Sequence, residues 1–445
     1  MTRILVTGCC IIVSGWCLAQ ENLNLESAIR LGLDKNFSIQ IESQRVEVAK
    51  NNNTLGNAGM WPSVNVGATQ SLSRTEIDNP ASFLSSGNIK GSSLNPTVGV
   101  AWTLFNGFNV RISKDKLDFL EQQSLGNAQV VIENSIQSII LAYYTALLEE
   151  ERLSVFKRTL KLSSDRYEYG KLRGQIGTAV TFDILQDKSA YLTDSSNYIQ
   201  QVQNYNNAVR NLNLLMGVDV DETFELSDSL TVVPQQFDRD DLFARMTSNN
   251  SNLKNQYLNQ EIFKRDVLLA RSSMYPLVSL NLNGSSNRQT QDLSSAVFAS
   301  GQTGDSGIKS STLNYTAGIT LSFTLFNGGK IRTQLENARV NEQIALIQVS
   351  ELKASLKNNL ISNFDQYNLR STLLSIAKEN VETATLNLQL ATDRYRNGTI
   401  SSFDYRDIQI NYLTSSLNYL QAIYNVIETE TELMRLTGGL SSAYD

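Results

Sequence analysis

Histidine is absent from all 445 residues, and the three cysteines, Cys9, Cys10 and Cys17, fall within the first seventeen. Those gaps remove the imidazole base, the thiolate nucleophile and the Cys/His metal site from the mature chain. No catalytic residue, cofactor or metal is therefore expected, and a copper or silver role is not indicated. Residues 1–19 read as a secretory signal, with Arg3 as a minimal basic region, an apolar stretch from Ile4 to Leu18, and small residues Cys17 and Ala19 before Gln20. The alternative, a lipoprotein acylated at Cys17, is disfavoured by Trp16 directly before it. Removing Arg3 with the leader takes 38 basic residues to 37 against 44 acidic ones, a net charge of −7. That balance argues against a nucleic-acid partner, whose phosphates call for clustered Lys and Arg. After the leader no stretch approaches the ~20 apolar residues of a membrane-spanning helix, so an exported chain of this kind is either soluble or a β-barrel.

What is present is one design written twice. Residues 28–73 align with 242–287 at an offset of 214, and 98–217 align with 319–438 at an offset of 221, without gaps inside either block. Asn36 matches Asn250, Pro62 matches Pro276, Thr103 through Gly107 match Thr324 through Gly328, Phe182-Asp183 match Phe403-Asp404, and Gly217 matches Gly438. A period near 220 lies far outside the 20 to 50 residues of stacked repeats and marks a duplicated half-protein. The chain divides into a first repeat over 20–217, a connector over 218–240, a second repeat over 241–438 and a tail over 439–445.

Each repeat opens its distinctive part with a pair of strands, expected at about 62–74 and 97–106, then 276–288 and 312–326. Val64, Val66, Ala68 and Leu72 alternate with Ser63, Asn65, Gly67, Thr69 and Ser71, and Leu313, Tyr315, Ala317, Ile319 and Leu321 alternate with Asn314, Thr316, Gly318 and Thr320. Period-two alternation, apolar on one side and small-polar on the other, suits strands between lipid and water, although a half-buried soluble sheet shows the same local pattern. The segments between paired strands, 75–96 and 289–311, read as long Ser, Gly and Asn-rich loops. Four strands cannot close a membrane barrel, which takes about eight, so closure requires further chains.

The rest is helical, as a hairpin over 108–217 and another over 330–438. No proline interrupts 108–173 or 330–397, and at 1.5 Å per residue a helix of ~65 residues extends on the order of 100 Å. The return segments place Ile184, Tyr191, Tyr198, Tyr205 and Leu212, and then Tyr405, Tyr412, Tyr419, Val426 and Leu433, seven residues apart. That period of 3.5 implies helices wound around neighbours.

Several segments together carry a family resemblance: Leu25 through Ile29 with Asn36, Ala58 through Pro62, Trp102 through Gly107, Ala142-Tyr143, and Arg394 through Thr399 followed by Asp404 to Asp407. In order, spacing and duplication the chain resembles the TolC family of outer-membrane efflux ducts over essentially its whole mature length. The resemblance implies a mainly α fold with a β-barrel segment: a homotrimer sharing a 12-stranded membrane barrel, a long helical barrel in the periplasm, and a mixed belt that includes 218–240. It implies location in the outer membrane among its lipids, passive export in a tripartite efflux or type I secretion system, and partnership with a periplasmic adaptor and an inner-membrane pump. Drugs, bile-type amphiphiles and secreted proteins remain open as cargo. A secreted coiled-coil scaffold or adhesin without a pore is the alternative.

The functional positions that the resemblance implies lie at the two helix turns. Asp404 and Asp407, three apart on one side of a helix, correspond to the carboxylates of the periplasmic aperture, although acids in a first turn are also favoured by the helix dipole. Tyr395 and Asp183 correspond to a closed-state latch, to be joined by a hydrogen bond, while Ile400 and Phe182 stand where the family places polar latch residues. Gly177-Thr178 and Gly398-Thr399 correspond to adaptor-contact tips, and a tight turn accounts for the glycines equally well. Arg166 through Gly170 imitates Arg394 through Gly398, but the offset pairs the latter with Arg173 through Gly177. At that offset Tyr395 faces Gly174 and Asp407 faces Gln186, which puts the gate chiefly on the second repeat.

Overall fold

The computed structural model describes residues 21–440 except Pro80 and Ser82, so the leader at 1–19, Cys17 and the end of the tail lie outside the described residues. In chain order the elements are β1 (Glu21–Leu23), α1 (Leu25–Lys35), α2 (Phe37–Asn52), β2 (Ser63–Asp78), β3 (Leu84–Asn106), α3 (Asn109–Gln175), α4 (Thr181–Met216), β4 (Phe224–Leu226), α5 (Arg239–Asn249), α6 (Ser251–Ser272), β5 (Leu277–Phe298), β6 (Ile308–Ser322), α7 (Lys330–Arg396) and α8 (Ser402–Leu436). They fall into two units, one within Met1–Ser43, Ala128–Ser251 and Lys353–Asp445, the other Gln44–Asn127 with Asn252–Leu352.

The second of these units holds one antiparallel sheet in the order β2-β3-β5-β6. Its central pair, β3 with β5, joins the two repeats, and β2 and β6 are left as free edges. The alternation read from the sequence survives as geometry. Val64, Val66, Leu72, Leu313, Tyr315, Ile319 and Leu321 all stand exposed. Pairing extends further than expected, because β2 stays in one register with β3 up to Asp78↔Ser86 and β5 with β6 up to Gln291↔Ile308. Much of 75–96 and 289–311 is thus strand rather than loop. A ladder needs backbone groups, not apolar side chains, and small polar cross-strand pairs such as Gln70 to Ser92 (2.9 Å) and Ser71 to Ser93 (2.6 Å) support it. In the other direction β6 stops at Ser322, short of the expected 326.

The duplication is visible in the helices themselves. α3 and α7 each have 67 residues, and both ends are displaced by 221, from 109 to 330 and from 175 to 396. Contrary to the sequence expectation, α3 is long and apolar enough to cross a membrane by composition. Its apolar positions form a core instead: Ile136, Ile139, Ile140, Tyr143 and Leu147 are buried. The Tyr143 hydroxyl lies 2.9 Å from the Leu23 carbonyl and 2.8 Å from Asp228, holding β1 in place beside its parallel partner β4. Tyr367 of α7 similarly pins the connector, bonding both the N–H (2.7 Å) and the carbonyl (3.0 Å) of Gln235.

The anchor pairs Asn36/Asn250 and Gly217/Gly438 gain a common explanation. Asn36 separates α1 from α2 and its side-chain amide donates to Leu215 O (2.7 Å), whereas Asn250 separates α5 from α6 and donates to Leu436 O (3.0 Å). The return helix ends at the same junction on a left-handed glycine, φ +73° at Gly217 and +69° at Gly438. A Cβ there would lie 2.2 Å from the Lys35 carbonyl or 2.9 Å from that of Asn249, so backbone approach as well as φ requires glycine.

Candidate functional site at the helix turns

Both long helices end in the same turn. Gly177 (φ +75°) and Gly398 (φ +72°) occupy the left-handed region, and their N–H groups donate to Gly174 O and Tyr395 O. Thr178 then returns its N–H and hydroxyl to Arg173 O at 2.9 and 3.1 Å, and Thr399 does the same to Arg394 O at 2.9 Å each. These bonds satisfy the last helical carbonyls, which makes Gly-Thr a helix C-cap in each repeat.

The starts of the return helices differ. Ser401 caps α8 in a reciprocal box, its hydroxyl oxygen accepting from Asp404 N–H (3.1 Å) while its own backbone N–H donates to the Asp404 carboxylate (3.4 Å), to which the hydroxyl also donates (2.7 Å). Asp404 is therefore engaged by its own helix start, whereas Asp407, exposed on the same helix, makes no hydrogen bond or ion pair among the described residues. At α4 the capping position is Val180, which offers no side-chain bond, and Asp183 stands in the first turn. Phe182 and Phe403, equivalent in the two repeats, are 73% and 67% exposed.

Tyr395 does not bond Asp183. It stacks on Tyr405 at 5.0 Å and meets Tyr169 edge-on at 5.8 Å within a cluster that includes Leu388, Ala391 and Tyr412. Burial pushes its phenol up, the Asp187 charge adds to that, and a hydrogen bond with Ser402 opposes it. The carboxylate beside Tyr395 is thus Asp187, one helical turn beyond Asp183. Residues four apart share a face, and α4 turns the later one into the contact.

Asp187 is the centre of a junction that sequence reasoning missed. Arg166 Nε of α3 lies 2.9 Å from Asp187 Oδ1, with the two side chains 1% and 2% exposed, and Ser402 of α8 donates to the same oxygen. Gly170 makes the room: a Cβ there would sit 3.0 Å from Asp187 Oδ2. The pairing is tight but incomplete, because Arg166 Nη1 is buried without a partner and Nε is not aligned for a hydrogen bond. Burial lowers the Arg166 pKa, against the opposing pull of Asp187. Burial also raises that of Asp187, opposed by Ser402 and Arg166 and reinforced by Asp183. Two turns along, Arg406 of α8 holds the buried Asp194 of α4 in a bidentate pair at 2.6 and 2.8 Å. Gln409 adds a third tie, donating to the Thr159 carbonyl at 3.0 Å.

Asp187–Ser402 and Asp194–Arg406 therefore clamp one hairpin to the other within a single chain. Beside the clamp lies a cleft of about 730 Å³, lined by Asp183, Tyr395, Gly398, Thr399, Phe403 and Asp404. It gathers five of the eight positions read from the sequence, and Asp407, Gly177 and Thr178 lie outside its lining. The signal for the missed residues was present: at the offset of 221, Asp187 faces Ile408 and Arg406 faces Leu185, so each stands where the halves disagree.

A sheet patterned for lipid, repeated with long helix hairpins that end in capped, charged turns, defines the protomer of an outer-membrane channel. The chain belongs to the outer membrane efflux protein family, which it matches over residues 28–218 and 242–439. It is similar to the toluene efflux pump outer membrane protein TtgC of Pseudomonas putida, at 23% identity over 96% of this chain and 85% of that one. Nodulation protein T of Rhizobium leguminosarum is 20% identical over 97% and 86% of the two chains. Among solved structures, the outer-membrane channel OprN superposes with a TM-score of 0.71 at 18% identity, covering 93% of this chain and 90% of that one. The outer membrane protein VceC of Vibrio cholerae gives 0.69 at 16%, covering 93% and 96%. The protein is an outer-membrane efflux channel.

Proposed function

We propose that three copies of this chain close one twelve-stranded barrel and act as a passive exit duct, engaged by a periplasmic adaptor and an inner-membrane pump. The observation that carries this reading is the four-stranded sheet with both edges, β2 and β6, unpaired and its apolar face exposed. A free edge in lipid leaves backbone groups unsatisfied, and pairing β6 of one chain with β2 of the next removes the edge. The helix turns then surround one axis. Asp407, and Asp404 where its cap releases it, supply a carboxylate ring that favours cations, and Phe182 and Phe403 give the same rim an apolar component.

The latch that the sequence suggested at Tyr395 and Asp183 is proposed to run through Asp187 instead, with Asp194–Arg406 behind it. Gly177-Thr178 and Gly398-Thr399 present the turns to the adaptor. Opening widens the cleft between the hairpins, and nothing in this scheme requires catalysis. Detergent extraction followed by electrophoresis with and without heating tests the assembly: heat-modifiable trimers that retain strand signal are expected. A water-soluble, wholly helical monomer would sink the reading.

A further inference from the structure

Every charged side chain in the four long strands stands on the apolar face of the sheet. On β2 these are Arg74, Glu76 and Asp78, in step with Val64, Val66 and Leu72. Lys90 is opposite Arg74 in the β2–β3 register and so shares its face. Arg288 and Asp292 continue the Val278, Leu280, Leu282 row of β5, and Lys309 continues the Leu321 to Leu313 row of β6. The opposite face of these strands carries no charge at all.

The order along each strand is the informative part. Followed upward from the end nearest the helices, the first charge met is Arg74 on β2, Lys90 on β3, Arg288 on β5 and Lys309 on β6, a cation in all four cases. The ladder sets Arg74 directly opposite Lys90, and Lys309 opposite Thr290, two residues from Arg288, while Arg288 itself pairs with Leu94, four residues nearer the helices than Lys90. All four are exposed, and among the described residues none lies within 4.0 Å of a carboxylate. Acids appear only beside or beyond them.

On each strand the first cation follows the end of the apolar row. The apolar rows Val64 to Leu72 and Leu313 to Leu321 each span eight residue steps, about 27 Å at ~3.4 Å per residue and about 21 Å along the normal at a tilt near 40°. The apolar band of an outer-membrane barrel is about 25 Å tall. A cation on a lipid-facing strand is tolerated best where it reaches the polar boundary, which is where this band ends.

We propose that Arg74, Lys90, Arg288 and Lys309 form a belt that binds the phosphate groups of lipid in the outer leaflet, anchoring the sheet at a fixed depth. Guanidinium and ammonium groups in a band one strand apart match an anionic headgroup with more than one phosphate better than a zwitterionic one. The proposal rests on the sheet facing lipid, as an outer-membrane channel requires. It adds which lipid chemistry is held, and by which residues.

The test uses the full-length protein purified in neutral detergent. Diphosphoryl lipid A should raise its thermal stability in a salt-sensitive way and remain bound in native mass spectrometry, whereas phosphatidylcholine should do neither. Arg74→Gln with Lys90→Gln, and separately Arg288→Gln with Lys309→Gln, should each weaken lipid A binding, by about fivefold per cation removed. Glu76→Gln with Asp78→Asn should retain it. Equal binding by the cation variants, or equal stabilisation by phosphatidylcholine or by inorganic phosphate, would overturn the belt. If the paired variants do not assemble, the salt dependence of lipid A binding to the wild-type protein decides, and binding unaffected by salt refutes the proposal. Failure of the lipid-facing reading itself would look different, as a protein soluble without detergent.

Discussion

Replacing Arg406 with glutamine tests the clamp most directly. Arg406 closes both oxygens of Asp194, whose side chain is 2% exposed, while Arg406 itself is 17% exposed. Arg406→Gln strands a buried carboxylate, a change that costs about 3 to 5 kcal/mol where a buried pair loses one member. Asp194→Asn keeps the shape and leaves the charge on the partner with access to water, so its cost falls nearer 1 to 3 kcal/mol, roughly that of an unsatisfied polar group. Replacing both, Asp194→Leu with Arg406→Met, removes the charges together and should lie close to wild type, because a well-packed apolar pair often substitutes for a buried ion pair at little loss. The expected order is therefore Arg406→Gln worst, Asp194→Asn intermediate, and the double variant mildest. Hydrogen exchange at the start of α8 reads it as local opening, accelerated by roughly two to four powers of ten in Arg406→Gln. Single-channel recording should show the same variant open more often. Should the double variant exchange as fast as Arg406→Gln, or none of the three differ from wild type, the pair does not hold the hairpins together.

The two carboxylates proposed for the aperture should separate. Asp407→Asn is expected to weaken polycation block in planar bilayers without changing stability, while Asp404→Ala should also loosen the start of α8 by about 1 kcal/mol through loss of the capping box, measured by thermal unfolding. Identical effects on both readouts would remove the distinction. Closure should depend on pH through Asp187, whose folded pKa lies above the ordinary carboxylate value of 3.8, first because it is buried. A raised value means that the clamped tip holds the proton more tightly than a state in which Asp187 is hydrated. The resulting stabilisation is fully present below 3.8 and is lost as pH rises through the raised value, so opening should increase over that acidic window in wild type and not in Asp187→Asn. A pH profile shared by the variant would exclude Asp187 as the source. Gly217→Ala should destabilise far more than Gly398→Ala, since both adopt positive φ but only the first meets backbone, at 2.2 Å, while the second faces open space and costs about 1 kcal/mol. Equal melting temperatures for the two would show that the Lys35 contact relaxes freely.

Much of the architecture was legible because periodicity is local. Alternation at two and spacing at seven are properties of neighbouring residues, so strand faces and helix seams follow from chain geometry alone. The duplication was stronger still: α3 and α7 have the same length and their ends keep the offset of 221, which also places both Gly-Thr turns. The ends of strands were less legible, because Ser, Gly and Asn serve a ladder and a loop equally, and β2 through Asp78 shows the ladder prevailing. The leucines and isoleucines of α3 from Ile136 to Leu148 could not reveal by composition that they pack a core.

The elements, their order and their doubling were readable in the chain alone, since these depend on residue type and on spacing within one segment. Which charges meet is a matter of packing between distant segments. Asp183 and Asp187 lie four apart on one face of α4, and sequence spacing leaves open which of them stands opposite Tyr395 and Arg166. The choice is made by the axial and rotational setting of one hairpin against the other, a relation between side chains more than two hundred residues apart for Asp187 and Ser402. The same holds for Arg406 and Asp194, and for the strand cations, where the ladder registers set Arg74 opposite Lys90 and Lys309 two residues from Arg288.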